Sequence, residues 1–334
     1  MDQESKLGER VMVKKEKVIE SKGRKFLLRF EDSKRASDYA KYEALRMRIW
    51  GEPTDHLCGV RNMEGENYFH EGSSMFIGVF VANEKGEFPL DEEHLIGFAY
   101  GYVGVWDKSL GFRQTENLKF YSQYAGVRPD FQGYGLGVEI KKFQKEILLD
   151  IYGVNWATCT YDPLTAVNAY RNIHVFGMEV VEYRVDCYGG FGGYLNRGDI
   201  PTDRFYLRWN LIQTPERPRY SLGDLLTRDC LATQTKFQEI RGRFGQVELP
   251  VITKVNTILD TPWLAIEIPA DFYLMLRETD VEREDVRQIP LQWRLKTREV
   301  FLEMLGKGYQ IVDFARQSDG QRWRTFYILH HRLK

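Results

Sequence analysis

The sequence predicts a chain of the α/β (α+β) class, with a mostly antiparallel sheet, flanking helices and a smaller α/β region at the C-terminal end. Three observations predict it. Between residues 25 and 212, apolar runs and helical stripes come in the order strand, helix, three strands, helix, strand, helix, two strands. The middle strand signals are joined by loops too short for parallel crossovers, so they pair antiparallel. Beyond Leu211, "TPERPRYSLGD" breaks the pattern with two prolines and several charges, and a second patterned stretch follows.

Taken in order, residues 1–24 are mostly polar and read as an arm or a short extra hairpin outside any site. "KFLLRFED" reads as a strand, with Ser37 and Asp38 placed to cap the helix that follows. In "DYAKYEALRMRIWG", Tyr39, Tyr42, Leu45, Ile49 and Trp50 fall at helical spacing, and Gly51 and Pro53 end the helix. "SMFIGVFVANEKG", "HLIGFAYGYVGVW" and "FYSQYAGV" are the three strand signals. "GVEIKKFQKEILLDIYG" predicts a helix with Val138, Ile140, Phe143, Ile147, Leu148 and Ile151 on its apolar face. "VNWATCTYDPL" follows as a short buried strand stopped at Pro163, then a short helix over "AVNAYRNIHVFG" and strands in "EVVEYRVDCY" and "DRFYLRWNL". The boundaries expected are an arm over 1–24, a main domain over 25–212 and an accessory α/β domain over 213–334. The last holds a strand "PWLAIEIP", a helix "LQWRLKTREVFLEMLGKG" and strands "YQIVDFAR" and "RTFYILHH".

Composition narrows the function classes. With 334 residues and 43% apolar content, the chain can fill a sizeable core. Its 47 basic and 48 acidic residues leave a net charge of -1, which argues against wholesale nucleic-acid binding. Cys58, Cys159, Cys187 and Cys230 make no C-x-x-C pair and follow no secretory leader. They read as reduced thiols in a cytoplasmic protein rather than as disulfides or metal ligands, and no metal is expected. No apolar run approaches the ~18 residues that would cross a bilayer, so no membrane partner is expected.

"VRPDFQGYGLGVEIKKF" places Gly133, Gly135 and Gly137 where a strand hands over to a helix. Backbone N–H groups at a helix start bind phosphate, and glycine lets the ligand approach them. A P-loop needs Lys and Ser or Thr after its last glycine, but Val138 and Glu139 stand there. The dinucleotide form G-x-G-x-x-G fails at Val138. The form Q/R-x-x-G-x-G/A is matched by Gln132, Gly135 and Gly137. A plain tight turn is the alternative.

"AGVRPDFQGYGLGVEI", with V-x-P ahead of the glycine loop, resembles the acyl-CoA-binding motif of the GNAT superfamily of N-acyltransferases, whose element order residues 25–211 also follow. The resemblance implies a GNAT fold: a mixed sheet whose strands splay to take the pantetheine arm, with "WATCTYD" as the other edge of the gap. It implies that Gly126 and Val127 face the pantetheine. Gln132, Gly133, Tyr134, Gly135, Leu136, Gly137 and Val138 would hold the pyrophosphate, and Asn168 would reach the pantetheine. Ala169 and Gly177 keep the family spacing. Ile173 stands where many members carry a Tyr acid, leaving Tyr170 and Tyr161 as substitutes or as packing residues. The strand before the loop lacks the carboxylate that many members carry. Proton handling then falls to Asp162, His174 or Glu43, against the plainer readings of a turn residue, a packed histidine and a solvated helix face. A water chain can also deprotonate a weakly basic amine, and a strand N–H near Gly126 would polarise the thioester carbonyl.

"TYDPL…NAYRN…FG", "YGGFGGYLNRGDIPTDRFYLRWNL" and the late "WLAIEIPADF…LQWRLKTREVFLEMLGKGYQIVDF" resemble a poorly characterised long GNAT branch, some of whose members are linked with N-succinylation of amino acids. That implies acetyl-CoA or another acyl-CoA, including succinyl-CoA, as donor, and a small acceptor amine such as an amino acid. Glu43, on the helix whose following loop walls the acceptor site, and Arg204, as anion partner, are the candidate acceptor contacts. Asp203 and Arg204 bracing their own loop is the equal alternative. A homodimer, a turnover-deficient CoA sensor or scaffold, and acetylation of protein N-termini or lysines stay open.

Overall fold

A computed structural model describes residues 15–33, 35–51, 73–189, 192–213, 216–227, 229–318 and 320–331. Pro53, Cys58 and the first fourteen residues of the expected arm lie outside them. The chain divides into two compact units, the first ending at Asn155 and the second running from Trp156 to the C-terminal end, with a short stretch from Trp50 onward.

The first unit holds β1 (Glu16–Ser21), β2 (Arg24–Glu31), α1 (Ala40–Trp50), β3 (Ser74–Val81), β4 (Leu95–Val105), β5 (Leu118–Val127) and α2 (Leu136–Ile147). Its strands lie in the order β1-β2-β3-β4-β5, every neighbour antiparallel. The arm thus contributes a hairpin strand. Its turn at Lys22 and Gly23 takes the left-handed region (φ 50° and 74°). Midway along β5 the register passes from Tyr100↔Tyr124 to Gly101↔Ser122, leaving Gln123 in a bulge. Such a bulge bends the strand and re-aims the residues after it. Phe26, Phe76, Phe80, Phe98, Tyr42 and Tyr100 fill the core, each at most 1% exposed. Each such side chain gains roughly 1.5–3 kcal/mol from burial.

Ser37 and Asp38 do not cap α1. They lie within a 3-10 turn over Ala36–Tyr39, whose leading residue Arg35 makes no side-chain cap, and the Asp38 carboxylate accepts from the Ser33 hydroxyl. The 3-10 turn starts the helical path one turn early, so a hydroxyl at residue 37 has passed the position from which it could reach the first free N–H groups. α2 buries Ile140, Phe143 and Ile147, while Ile151 lies out on the exposed side. A π turn over Leu148–Tyr152 ends at Gly153, whose φ of 63° stops the helix.

The second unit holds β6 (Trp156–Tyr161), α3 (Ala166–Ala169), β7 (Glu179–Arg184) and β8 (Arg204–Asn210), with the strands ordered β6-β8-β7, all antiparallel. α3 is one α-helical turn that continues as a π turn over Tyr170–Val175. Next come α4 (Leu222–Leu225), β9 (Thr233–Arg241), β10 (Gln246–Val255), β11 (Trp263–Ile268), α5 (Phe272–Glu278), α6 (Glu284–Arg287), α7 (Ile289–Gly306), β12 (Tyr309–Ser318) and β13 (Trp323–His331). β9 and β10 form a hairpin, and β11-β13-β12 a three-stranded antiparallel sheet.

Residue 213, expected to open a separate domain, falls inside this unit. Phe205 of β8 packs edge-on against Phe301 of α7 and Tyr327 of β13, at 4.9 and 5.6 Å. The Tyr161 and Tyr327 hydroxyls meet at 3.0 Å, and Tyr327 donates to the Pro163 carbonyl.

Candidate active site

The glycine stretch forms the N-terminus of α2. β5 ends at Val127, a 3-10 turn covers Pro129–Phe131, and Gly133 and Gly135 take φ of 82° and 75°, where a side chain is strained. Gly135 occupies the N-cap position, and its carbonyl accepts from the N–H groups of Val138 and Glu139. Among the described residues, the N–H groups of residues 133 to 137 meet no acceptor. A Cβ at Gly135 would meet nothing within 4 Å, and one at Gly133 only the Lys22 ammonium at 3.9 Å. Unengaged amides thus stand at the positive end of a twelve-residue helix, with open space where a Gly135 side chain would lie.

The β1–β2 hairpin, expected to lie outside the site, reaches this loop. Ser21 Oγ donates to the Tyr134 carbonyl at 2.9 Å. Lys22 lies 5.6 Å from the Tyr134 ring centroid, and Arg24 covers Tyr134 and Phe131 at 5.6 and 5.5 Å. Arg128 is neutralised by Asp130, whereas Lys22 and Arg24 meet no carboxylate among the described residues. Gln132 turns back toward the Val127 carbonyl at 3.5 Å, beyond a good hydrogen bond. Gly126 and Val127 pair with Phe98 and Gly97 of β4.

The proton-handling candidates sit in tight partnerships. Glu43 is buried on α1 and accepts from Arg46 Nε and Nη2 at 3.1 and 2.9 Å. Asp162 accepts from Arg294 of α7, from the Leu164 N–H at 2.9 Å, and lies 3.6 Å from Arg204. Burial alone would raise its carboxyl, but Arg294 and then Arg204 hold it below the ordinary aspartate value. A carboxylate held this way is a poor proton acceptor at neutral pH. His174 Nδ1 lies 2.8 Å from Asp313, which also accepts from the Tyr220 hydroxyl at 2.7 Å. Tyr170 stacks on His174 at 4.7 Å and carries Arg316 at 3.7 Å from its ring centroid. Burial and a hydrogen bond to Tyr327 act oppositely on Tyr161, and burial prevails, pushing the phenol far up.

Asn168 bonds Thr165 Oγ1 at 3.1 Å and accepts from Arg171 at 2.9 Å, so its amide is held within its own turn. Arg204 donates to the Asp203 carbonyl and lies 5.1 Å from the Tyr188 ring centroid. Asp203 is braced by both Arg298 Nε and Nη2, at 2.8 and 2.7 Å, and not by Arg204. Sequence reasoning missed Lys22, Arg24, Arg171 and Arg294. The adjacency of a hairpin turn to the loop and the burial of one helix arginine leave no mark in local composition. Among the described residues, no helix is long and apolar enough to cross a membrane and no side-chain cluster fits a metal ion.

No protein-family model matches the chain, and no curated protein matches its sequence. Solved structures similar to it include the ribosomal-protein-S18-alanine N-acetyltransferase from Escherichia coli, at 14% identity, TM-score 0.38, over 58% of this chain and 99% of that one. A putative GNAT-family acetyltransferase from Desulfovibrio desulfuricans matches at 13% identity, TM-score 0.38, over 55% and 99%. A putative acetyltransferase from Salmonella typhimurium, solved with acetyl-CoA, matches at 17% identity, TM-score 0.38, over 59% and 99%. These matches leave roughly two fifths of this chain uncovered.

Proposed function

We propose that this chain is an acyl-CoA-dependent N-acyltransferase of the GNAT type that moves an acetyl or succinyl group to the amine of a small molecule, an amino acid being the acceptor. The observation that carries the reading is the row of unengaged N–H groups from Gly133 to Gly137 at the start of α2, with open space where a Cβ at Gly135 would lie. Such amides suit the diphosphate of a CoA thioester. Lys22 and Arg24, cations without carboxylate partners at the same loop, support an anionic ligand there.

The chemistry asks little of a strong base. A neutral amine nitrogen attacks the thioester carbonyl, the C–S bond breaks, and the CoA sulfur leaves with a proton. A backbone N–H near Gly126 can polarise the carbonyl, and bound geometry supplies much of the rate. Because Glu43 and Asp162 are held by arginines, solvent is the proton acceptor in this reading. The same pairing favours one second reading, a CoA-binding protein without turnover.

Calorimetric CoA titration, with thiol release from acetyl-CoA and succinyl-CoA over a panel of D- and L-amino acids, separates the two. Thiol release that depends on an amino acid supports the enzyme. CoA binding without turnover on any acceptor supports the sensor. Gly135→Val, which puts a β-branched side chain at a φ of 75° in front of the amides, should weaken CoA binding on the order of 100-fold, about 2.7 kcal/mol. Unchanged CoA binding in that variant reduces the motif to a turn.

A further inference from the structure

In the second unit, Arg298, Arg294 and Arg204 meet two carboxylates, Asp203 and Asp162, and Arg171 acts on the same Tyr273 as Asp162 and Arg204 do. Arg298 takes both oxygens of Asp203, which also accepts from the Tyr183 hydroxyl, so that pair is complete. Asp162 is left with Arg294 on one oxygen and Arg204 at 3.6 Å. Among the described residues, the hydrogen-bond partners of Arg171 are the amide oxygens of Asn168 and Asn172. Positive charge is therefore in surplus around Asp162.

The surplus includes bare donors. The Arg294 side chain is 1% exposed, and its Nε and Nη1 have no hydrogen-bond partner among the described residues. The Phe272 ring, 5.4 Å away, attracts the charge but satisfies no in-plane N–H. Buried guanidinium donors without acceptors are rare because each costs its full desolvation. The Tyr273 hydroxyl, next along α5, has no hydrogen-bond partner among the described residues and lies within electrostatic reach of Asp162, Arg204 and Arg171. Burial of Arg171 pushes its guanidinium below the ordinary value, as expected for a charge lacking a counterion.

We propose that Arg171, Arg204 and Arg294, with Tyr273, form a pocket that binds a substrate carboxylate. A carboxylate fits because its two oxygens accept parallel N–H bonds from a planar guanidinium, and its negative charge offsets part of the excess of these three arginines over Asp162. Only the identity of the molecule bringing that carboxylate rests on the acyltransferase reading, in which it belongs either to the acceptor or to the far end of the acyl group.

The test begins without any thioester, so its outcome is independent of the glycine loop. The full chain is titrated with succinate and with succinamide, its uncharged counterpart, followed by calorimetry and thermal denaturation. Saturable binding and stabilisation by succinate, at least tenfold tighter than by succinamide, is expected. Equal responses to the two overturn the proposal, as does no response to either. Arg171→Gln leaves no buried carboxylate unpaired and should keep the fold. It should weaken succinate at least tenfold while CoA binding stays unchanged, and unaltered succinate binding also overturns the proposal. Arg294→Gln provides a second reading where thermal denaturation shows it folded. Kinetics then identify the source. A tenfold rise of KM in Arg171→Gln for an amino acid but not for its amide assigns the carboxylate to the acceptor. A rise for succinyl-CoA but not acetyl-CoA assigns it to the acyl group, and no change in either KM overturns the substrate role.

Discussion

At the start of α2, positive potential comes from backbone amides and a helix end, whereas around Asp162 and Tyr273 it comes from the side chains of Arg204 and Arg294, with Arg171 acting on Tyr273. The first site is contiguous in sequence and needs small residues. The second is assembled from positions spread over more than a hundred residues and needs large ones. Amides fixed by the helix carry no ionisable group and no rotamer to order, so they suit a diphosphate that many substrates share. Arginines brought together by folding carry full charges that must be desolvated, and they suit recognition of one particular group.

The two regions should therefore fail differently when broken. Asp162→Asn should have the largest effect on stability. It leaves Arg294 and Arg204 buried without their counterion, and removing one partner of a buried pair costs about 3–5 kcal/mol. Urea unfolding should show a lower midpoint in the variant. Because the folded-state carboxyl of Asp162 lies below its ordinary 3.8, its contribution is full above that value and is lost as pH falls through the lower folded value. The gap between wild type and variant should thus be constant near neutrality and shrink in acid below about pH 3.8. A gap that stays the same in acid would mean that the ion pair is not what stabilises this region.

Breaking the loop's surroundings should matter less to the fold and more to the ligand. Lys22→Ala removes an exposed cation from beside Gly133 and Tyr134. CoA affinity should fall about fivefold, roughly 1 kcal/mol, with little change in thermal midpoint. The difference should narrow at high salt, because an exposed charge is screened. Equal affinity at low salt would separate the β1–β2 hairpin from the site.

The same contrast explains what could be read in the sequence. The strand–helix order was legible because each element carries its own apolar period, as in β3, where seven of the eight residues are buried. The glycine loop was legible because its constraint is local: φ values of 82° and 75° are written as Gly133 and Gly135. The β9–β10 hairpin was missed because a two-stranded ribbon buries little and reads as polar, with Pro250 inside one strand. The sequence predicts a short helix over "AVNAYRNIHVFG", and the structure divides it into an α-helical turn at Ala166–Ala169 and a π turn after it, a distinction that apolar spacing does not encode. Arg294 in "LQWRLKTREV" looks like any solvated helix arginine, and its burial follows from partners on other elements. Asp162, read as a turn residue or a base, is both a turn acceptor for Leu164 and the counterion of α7.

The most direct measurement is a crystal structure of the full chain with CoA. The account predicts diphosphate oxygens about 2.7–3.2 Å from the nitrogens of residues between Gly133 and Gly137, with Lys22 turned toward them. A CoA molecule bound elsewhere, with those amides facing solvent, would contradict it.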